Sequence, residues 1–127
     1  MANPESLALL RIARRDLQAA ELLQNPVADE ANWGFQIQQA VEKALKAWLF
    51  SLGDDPPLSH NLTALFGRIT DRGGFVEPYL PLEAFTAFAV QFRYDSEPEP
   101  MDLDRQHWYQ QAEVLVDHVA SICTALP

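Results

Sequence analysis

The sequence predicts an all-α protein, an antiparallel up-and-down bundle of four to five helices, and three observations support that prediction. Apolar residues recur at three- and four-residue spacing in five segments, which is the period of a helix that faces a core. None of the segments has the strict alternation of a convincing strand. The connections between them are short and contain proline, glycine or asparagine, so neighbouring helices should run antiparallel.

The first two predicted helices have the clearest boundaries. The first begins after Asn3, a good N-cap residue, with Pro4 at the first helical position, and it ends at Asn25-Pro26. The second runs from about residue 32 to residue 52, where Gly53 follows as a stop signal. It has the strongest periodicity of the chain and should form a core-facing helix.

The other three segments are shorter or less regular. The third helix is predicted from near Ser59 to the glycine pair at 73–74. Pro81 should open the fourth, which has an aromatic stripe at Phe85, Phe88 and Phe92. The fifth should begin around Leu103 with Asp102 or Asp104 as its cap.

Length and composition favour a single domain over residues 1–127. A chain of this size buries a sizeable core without a metal or disulfide, and its one cysteine, Cys123, excludes an internal disulfide. No apolar run approaches the roughly 20 residues of a membrane span, so no membrane partner is expected. The N-terminus lacks the basic start and apolar stretch of a signal peptide, which predicts a cytoplasmic protein.

The negative charge is concentrated in the C-terminal third. The net charge is −9, of which residues 1–94 (eight basic, eleven acidic) contribute −3 and residues 95–127 (one basic, seven acidic) contribute −6. Nucleic-acid binding depends on clustered Lys and Arg, so RNA is a less favoured partner. A basic protein partner, or a local basic patch elsewhere on the surface, stays open.

Metal and cofactor motifs are absent from the sequence. His107 and His118 are eleven residues apart on the fifth helix, too far for one metal, which favours positions i and i+4. The acidic stretch 95–104 has no glycine at the position that a calcium loop requires. There is no phosphate-binding glycine motif, so we expect neither a metal nor a cofactor.

Four side chains are candidates for a binding site, and each also has an ordinary structural interpretation. Arg93 and Tyr94 stand where the fourth helix stops, so Arg93 either pairs with helix carbonyls and a loop acid or grips an anionic ligand. His60 lies at a helix start, where a polar residue is most often a cap or a surface group. Lys43 flanks the apolar face of the second helix, as many solvated lysines do.

Four segments in order along the chain resemble the HEPN domain family. They are ARRDLQAAELL on the first helix, FQIQQAVEKALKAWLFSLGDDPP on the second, LSHNLTALF on the third and FRYD at the end of the fourth. The resemblance spans nearly the whole chain and implies an antiparallel bundle of four or five helices, often dimeric.

The resemblance implies two kinds of function. Many HEPN members are similar to metal-independent ribonucleases, in which an Arg-x4–6-His motif from two protomers meets at the dimer interface. Many are encoded beside a small nucleotidyltransferase as one half of a two-component, toxin–antitoxin-like pair. A nucleotide-binding role is implied as well.

The chain departs from the ribonuclease motif. Arg93 matches the motif arginine, but positions 98, 99 and 100 hold Pro98, Glu99 and Pro100, and His107 follows only after thirteen intervening residues. A ribonuclease needs a proton acceptor within hydrogen-bond reach of the 2′-hydroxyl, which a proline cannot supply. The chain therefore resembles the RY-type branch of the family.

The favoured hypothesis is a non-catalytic HEPN binding module whose partner is a small nucleotidyltransferase. Its nucleotide- or partner-binding residues would be Arg93, Tyr94, His60 and Lys43. The alternative is a metal-independent ribonuclease that uses Arg93 with an atypical base, His107 or His60.

A homodimer is also expected. The aromatic stripe of the fourth helix and the tryptophans Trp33, Trp48 and Trp108 exceed what one small bundle must bury. Large aromatic side chains are enriched in the cores of protein interfaces.

Overall fold

The computed structural model describes residues 3–92 and 94–125, and within them every regular element is helical. The elements are α1 (Pro4–Leu22), α2 (Glu30–Ser51), α3 (Leu62–Asp71), a 3₁₀ helix (Glu77–Ala89) and α4 (Arg105–Thr124). The predicted all-α bundle is confirmed. None of the described helices is both long enough and apolar enough to cross a membrane.

Side-chain caps fix the starts of three helices. The Asn3 side chain accepts hydrogen bonds from the amides of Glu5 (2.8 Å) and Ser6 (3.2 Å), which confirms the predicted cap of α1. Asp104 caps α4 in the same way. α3 begins at Leu62, later than predicted, because Asn61 and not Ser59 caps it.

The fourth predicted helix is a 3₁₀ helix that begins at Glu77, four residues before Pro81. Pro81 has no amide hydrogen, so it cannot make the bond to the carbonyl of Glu77 that an α-helix requires; Pro78 lies in the first turn, where no such bond is made. The buried residues Leu82, Phe85 and Phe88 are three positions apart, which places them on one face of a helix with three residues per turn.

α2 is the central helix and packs against each of the other four elements. The Ser6 hydroxyl donates to the carbonyl of Ala47 (2.8 Å), which places the start of α1 beside the end of α2. At the other end, the indole of Trp33 donates to the side chain of Gln24 (2.8 Å). These two contacts establish that α1 and α2 are antiparallel.

The aromatic residues fill the core of the protomer itself. Trp33, Trp48, Phe85 and Phe88 are all buried, and the half-buried Trp108 packs edge-on against Phe85 with ring centroids 5.3 Å apart. Contrary to the expectation from the sequence, these aromatics are therefore used within the protomer and are not left over for a dimer interface.

Gly34 allows the closest approach of the 3₁₀ helix to α2. A Cβ atom at this position would overlap the ring of Phe88. Because a buried ring cannot withdraw without leaving the core, only glycine fits here. This contact fixes where the 3₁₀ helix crosses the N-terminal half of α2.

Candidate functional site

A buried carboxylate on α2 organises the main polar cluster of the described residues. The Glu42 side chain is 2% exposed, and its Oε1 accepts from Gln38 Nε2 (3.0 Å) and contacts His60 Nδ1 (2.8 Å). Its Oε2 lies 3.1 Å from the Nζ of Lys46 and 3.7 Å from that of Lys43. We call these five residues the Glu42 cluster.

The spacing of the cluster follows from helix geometry. Gln38, Glu42 and Lys46 are four residues apart, so their side chains lie one above the other on the same side of α2. His60 comes from the connection between α2 and α3. Its carbonyl also accepts from Gln38 Nε2 (3.2 Å), so Gln38 holds both the backbone of His60 and the carboxylate that its ring contacts.

The environment keeps Glu42 ionised despite its burial. Burial disfavours the charged form, but the hydrogen bonds from Gln38 and His60 and the charges of the two lysines outweigh it. The pKa of Glu42 is consequently below its ordinary value of 4.5.

His60 presents an oriented imidazole at the surface. Its side chain is 64% exposed although Nδ1 is held by the buried carboxylate. A neutral ring that donates from Nδ1 leaves Nε2 as an acceptor, and a protonated ring donates from both nitrogens. No described residue bonds to Nε2, so this nitrogen is available for a ligand or a proton transfer.

Lys43 extends the cluster toward α1. Its Nζ donates to Gln39 Oε1 (2.6 Å), and its charge, with that of Arg15, acts on Asp16 of α1. Burial nevertheless dominates there and raises the pKa of Asp16 above its ordinary value of 3.8. Two carboxylates near Lys43 therefore differ: the surroundings of Glu42 stabilise its ionised form, whereas burial disfavours the ionised form of Asp16.

A second ion cluster, the Asp54 cluster of Asp54, Arg68 and Arg72, fixes the connection that carries His60. Asp54 accepts two hydrogen bonds from Arg68, at 2.7 and 2.9 Å, and Arg72 lies 3.2 Å away. The hydrogen bonds from Arg68 are the main reason that the pKa of Asp54 is lowered. Since Asp54 ties the connection to α3 and His60 ties it to α2, the position of the imidazole is set from both ends.

The predicted site residues have different outcomes. His60 and Lys43 are brought together, since both contact Glu42. Arg93 lies outside the described residues. Tyr94 is exposed, and its amide donates to the carbonyl of Val90 (3.3 Å).

His107 does not belong to the Glu42 cluster. It lies in the first turn of α4, where its amide donates to Asp104 and its ring packs edge-on against Trp108. Within residues 3–92 and 94–125 its ring has no carboxylate partner, in contrast to His60. His118 stacks on Tyr79 with ring centroids 5.3 Å apart, which is a packing role.

Sequence reasoning missed Glu42, Gln38, Lys46 and Asp16. A signal was present, because a glutamate follows Val41 inside the longest of the described helices and has polar residues four positions before and after it. Such a ladder at i−4 and i+4 on a helix that is buried on most sides indicates a paired internal charge.

The described part of the chain contains no set of side chains that could bind a metal ion. No group of three or more His, Cys, Asp and Glu side chains there is arranged to hold an ion. The acidic residues before α4 are spread along the loop, and Glu30 is engaged by the amides of Met101 (2.7 Å) and Leu103 (3.0 Å).

The fold and the cluster define a small helical domain with one oriented surface imidazole and an acidic C-terminal part. The family model for the HEPN domain matches residues 6–125. The chain belongs to the HEPN domain family. No curated protein and no solved structure gave a significant match to it.

Proposed function

We propose that residues 1–127 form a single HEPN domain that acts in the cytoplasm as the non-catalytic binding subunit of a two-component, toxin–antitoxin-like system. Its partner is a small nucleotidyltransferase, and the Glu42 cluster contributes to binding a nucleotide or the partner. The observation that carries the proposal is the imidazole of His60, exposed to solvent and oriented by a buried carboxylate beside Lys43.

The charges of the cluster favour an anionic ligand. The lysines Lys43 and Lys46 outnumber the single carboxylate that they share, and a protonated His60 adds a further positive charge. A phosphate group is recognised by such donors through charge-assisted hydrogen bonds. Arg93 and Tyr94 are proposed as further contacts because they match the motif position of the family.

The missing histidine supports binding over catalysis. The positions where the ribonuclease motif would place its histidine hold Pro98, Glu99 and Pro100. A glutamate there would repel the phosphate of an RNA substrate, and two prolines provide no side-chain proton acceptor.

Co-purification from the native organism is the first test. A tagged chain should recover a small nucleotidyltransferase in stoichiometric amount, and Arg93→Ala or His60→Ala should weaken that recovery or the binding of nucleotide. His107→Ala is the matched control, because this histidine is also exposed but lies outside the cluster. Recovery of the tagged chain alone would contradict the two-component role.

Nucleotide binding is measured separately by calorimetry with ATP on the isolated protein. His60→Ala and Lys43→Met should each lower the affinity about tenfold, which corresponds to about 1.4 kcal/mol. If His60→Ala and Lys43→Met bound ATP as tightly as the parent chain and His107→Ala, the Glu42 cluster would not be part of the nucleotide site.

The ribonuclease alternative is favoured by one observation, the pairing of His60 with Glu42. A carboxylate that holds Nδ1 of an imidazole orients its other nitrogen for general base catalysis. Among the two histidines proposed as atypical bases, only His60 has such a partner in the described residues. Cleavage of RNA in the presence of EDTA that is lost in both Arg93→Ala and His60→Ala would establish this activity.

A homodimer remains part of the proposal on the basis of family membership. Light scattering at micromolar concentration tests it, and a monomer mass would contradict it. Leu58, Phe75 and Val90 are exposed apolar residues whose substitution by serine would test which surface is used.

A further inference from the structure

A groove lies at the end of the bundle opposite to the Asp54 cluster. One wall is the connection between α1 and α2, and the other is the segment of residues 98–103 before α4. Phe88, Phe92 and Ala31 contribute apolar surface, and the cavity volume is about 610 Å³. We call this feature the loop groove; its volume is in the range of sites that enclose a small molecule or a few side chains.

The walls of the loop groove are held in place by side-chain contacts. The Glu30 carboxylate accepts from the amides of Met101 and Leu103, which fixes the segment before α4. The guanidinium of Arg105 donates to the carbonyls of Leu23 and Asn25 (2.7 and 2.8 Å) and to that of Ala28 (2.8 Å). A groove formed in advance loses less conformational entropy when it binds.

The charge of the loop groove is negative. Its described lining includes the carboxylates of Asp29, Glu30, Glu99 and Asp102, and Arg105 is the only basic residue among them. Arg105 is already engaged with three carbonyls and lies over the ring of Trp33 at 5.6 Å. Asp29, Glu99 and Asp102 line the groove and have no ion-pair partner within residues 3–92 and 94–125.

Two exposed apolar side chains lie on opposite walls of the loop groove. Val27 is almost fully exposed on one wall, and Met101 is half exposed on the other. Apolar side chains on both sides of a cavity can enclose an apolar anchor, while the carboxylates attract positive charge around it.

We propose that the loop groove binds a short basic segment of a partner protein, with one apolar side chain inserted between Val27 and Met101 and flanking Lys or Arg residues paired with the groove carboxylates. Charge complementarity selects this occupant, because an RNA would bring phosphates to a surface with a net negative charge. The inference rests on the proposed role of the chain as a subunit that binds a second protein.

The loop groove is separate from the Glu42 cluster. Glu30 and Glu42 are twelve residues apart on α2, which corresponds to about 18 Å along the helix axis. A partner held in the groove would therefore leave the surface at His60 accessible to a nucleotide.

The test is selection of short random peptides on the immobilised full chain, followed by affinity measurement with the enriched peptide. We expect peptides that carry Lys or Arg on both sides of an aliphatic or aromatic residue. Glu99→Lys should weaken binding of that peptide about tenfold or more, and Asp71→Lys, which makes the same charge change at the exposed end of α3, should stay within about twofold.

A second pair of variants tests the apolar anchor without changing charge. Met101→Ser should weaken the peptide, whereas Val114→Ser, at a similarly exposed position on α4, should not. Far-UV circular dichroism confirms that all four variants keep the helical fold. The two charge variants and the two apolar variants act on different contacts, so agreement between them identifies the groove.

Four outcomes would overturn the proposal. They are enrichment of peptides without basic residues, no enrichment, equal weakening by the groove variants and their controls, and competition by spermidine at the affinity of the peptide, which would identify a small cation as the occupant. Failure of the proposed function is distinguishable from these. If no partner co-purifies but basic peptides bind in the loop groove, the groove proposal is supported and the two-component role is contradicted.

Discussion

Glu42 and Asp54 are two buried carboxylates near opposite ends of one connection, and they differ in what their partners do. Asp54 is 4% exposed and is held by Arg68 and Arg72, whose bonds tie the connection to α3. Glu42 is held by lysines and by His60, whose ring faces solvent. In both places a buried acid is held by several cations; at Asp54 this anchors the backbone, and at Glu42 it orients an exposed imidazole.

The difference lies in the chemistry of the partners. An arginine that makes two hydrogen bonds to one carboxylate has a fixed orientation and no proton to transfer near neutral pH. An imidazole that uses one nitrogen still has the other to donate or accept. Function is therefore expected at Glu42 and structural support at Asp54, and four predictions test this division.

The largest expected effect is on stability. Glu42→Ala should lower the free energy of unfolding by about 3 kcal/mol, because it leaves Lys46 and the Gln38 amide without their buried partner. Asp54→Ala should lower it less, since Arg68 and Arg72 are each partly exposed and can turn to water. Urea unfolding followed by circular dichroism measures both. A larger loss of stability for Asp54→Ala than for Glu42→Ala would contradict this prediction.

The second effect separates support from function. His60→Ala should reduce ATP affinity about tenfold with little change in the urea midpoint, because its side chain is mostly exposed. Arg68→Ala should do the opposite, lowering the midpoint while affinity stays within about threefold. If Arg68→Ala reduced affinity as much as His60→Ala, the Asp54 cluster would itself be part of the binding site.

The fold could be predicted from the sequence because its signals are local. The apolar periodicity of α2, the Asn3 cap and the proline breaks are readable within a few residues of each boundary. The 3₁₀ helix was missed as such because phenylalanines three positions apart fit either type of helix. Only Pro81, which lacks an amide donor and whose ring would crowd the carbonyl four residues earlier in an α-helix, distinguishes them.

The site was predicted only in part because its contacts are not local. His60 and Lys43 were identified through family resemblance and not through any feature of their own. The carboxylate that joins them is 18 residues before His60, and no sequence pattern states that the connection returns to that turn of α2. Glu42 therefore looked like one more charged residue on a helix.

The third effect is on pH dependence, and its sign follows from the direction of the pKa shifts. Folding lowers the pKa of Glu42 and of Asp54. Each ionised carboxylate therefore stabilises the fold at a pH above its ordinary pKa, and this stabilisation is lost as the pH falls toward the lowered pKa of the folded state. The stability difference between the parent chain and Glu42→Gln should begin to shrink near pH 4.5. That for Asp54→Asn should begin near pH 3.8.

Urea midpoints collected from pH 7 to pH 3 measure this effect. Asp16→Asn is a control for which the stability difference should have the opposite sign. Burial raises the pKa of Asp16, so its ionised carboxylate destabilises the fold when the pH is above that raised pKa. This variant should therefore be more stable than the parent chain near neutral pH and should lose that advantage in acid. A difference that grows for Glu42→Gln as pH falls would contradict the lowered pKa.

The smallest effect comes from an exposed pair that provides a reference for both clusters. Arg14 and Asp117 join α1 to α4 at 2.7 Å, the same distance as Arg68 to Asp54, but the Asp117 side chain is 59% exposed. Asp117→Asn should change the free energy of unfolding by less than about 0.5 kcal/mol, because water replaces a surface partner at little cost. A loss equal to that of Asp54→Asn would mean that the distance between the charged atoms, and not burial of the carboxylate, decides how much an ion pair contributes in this bundle.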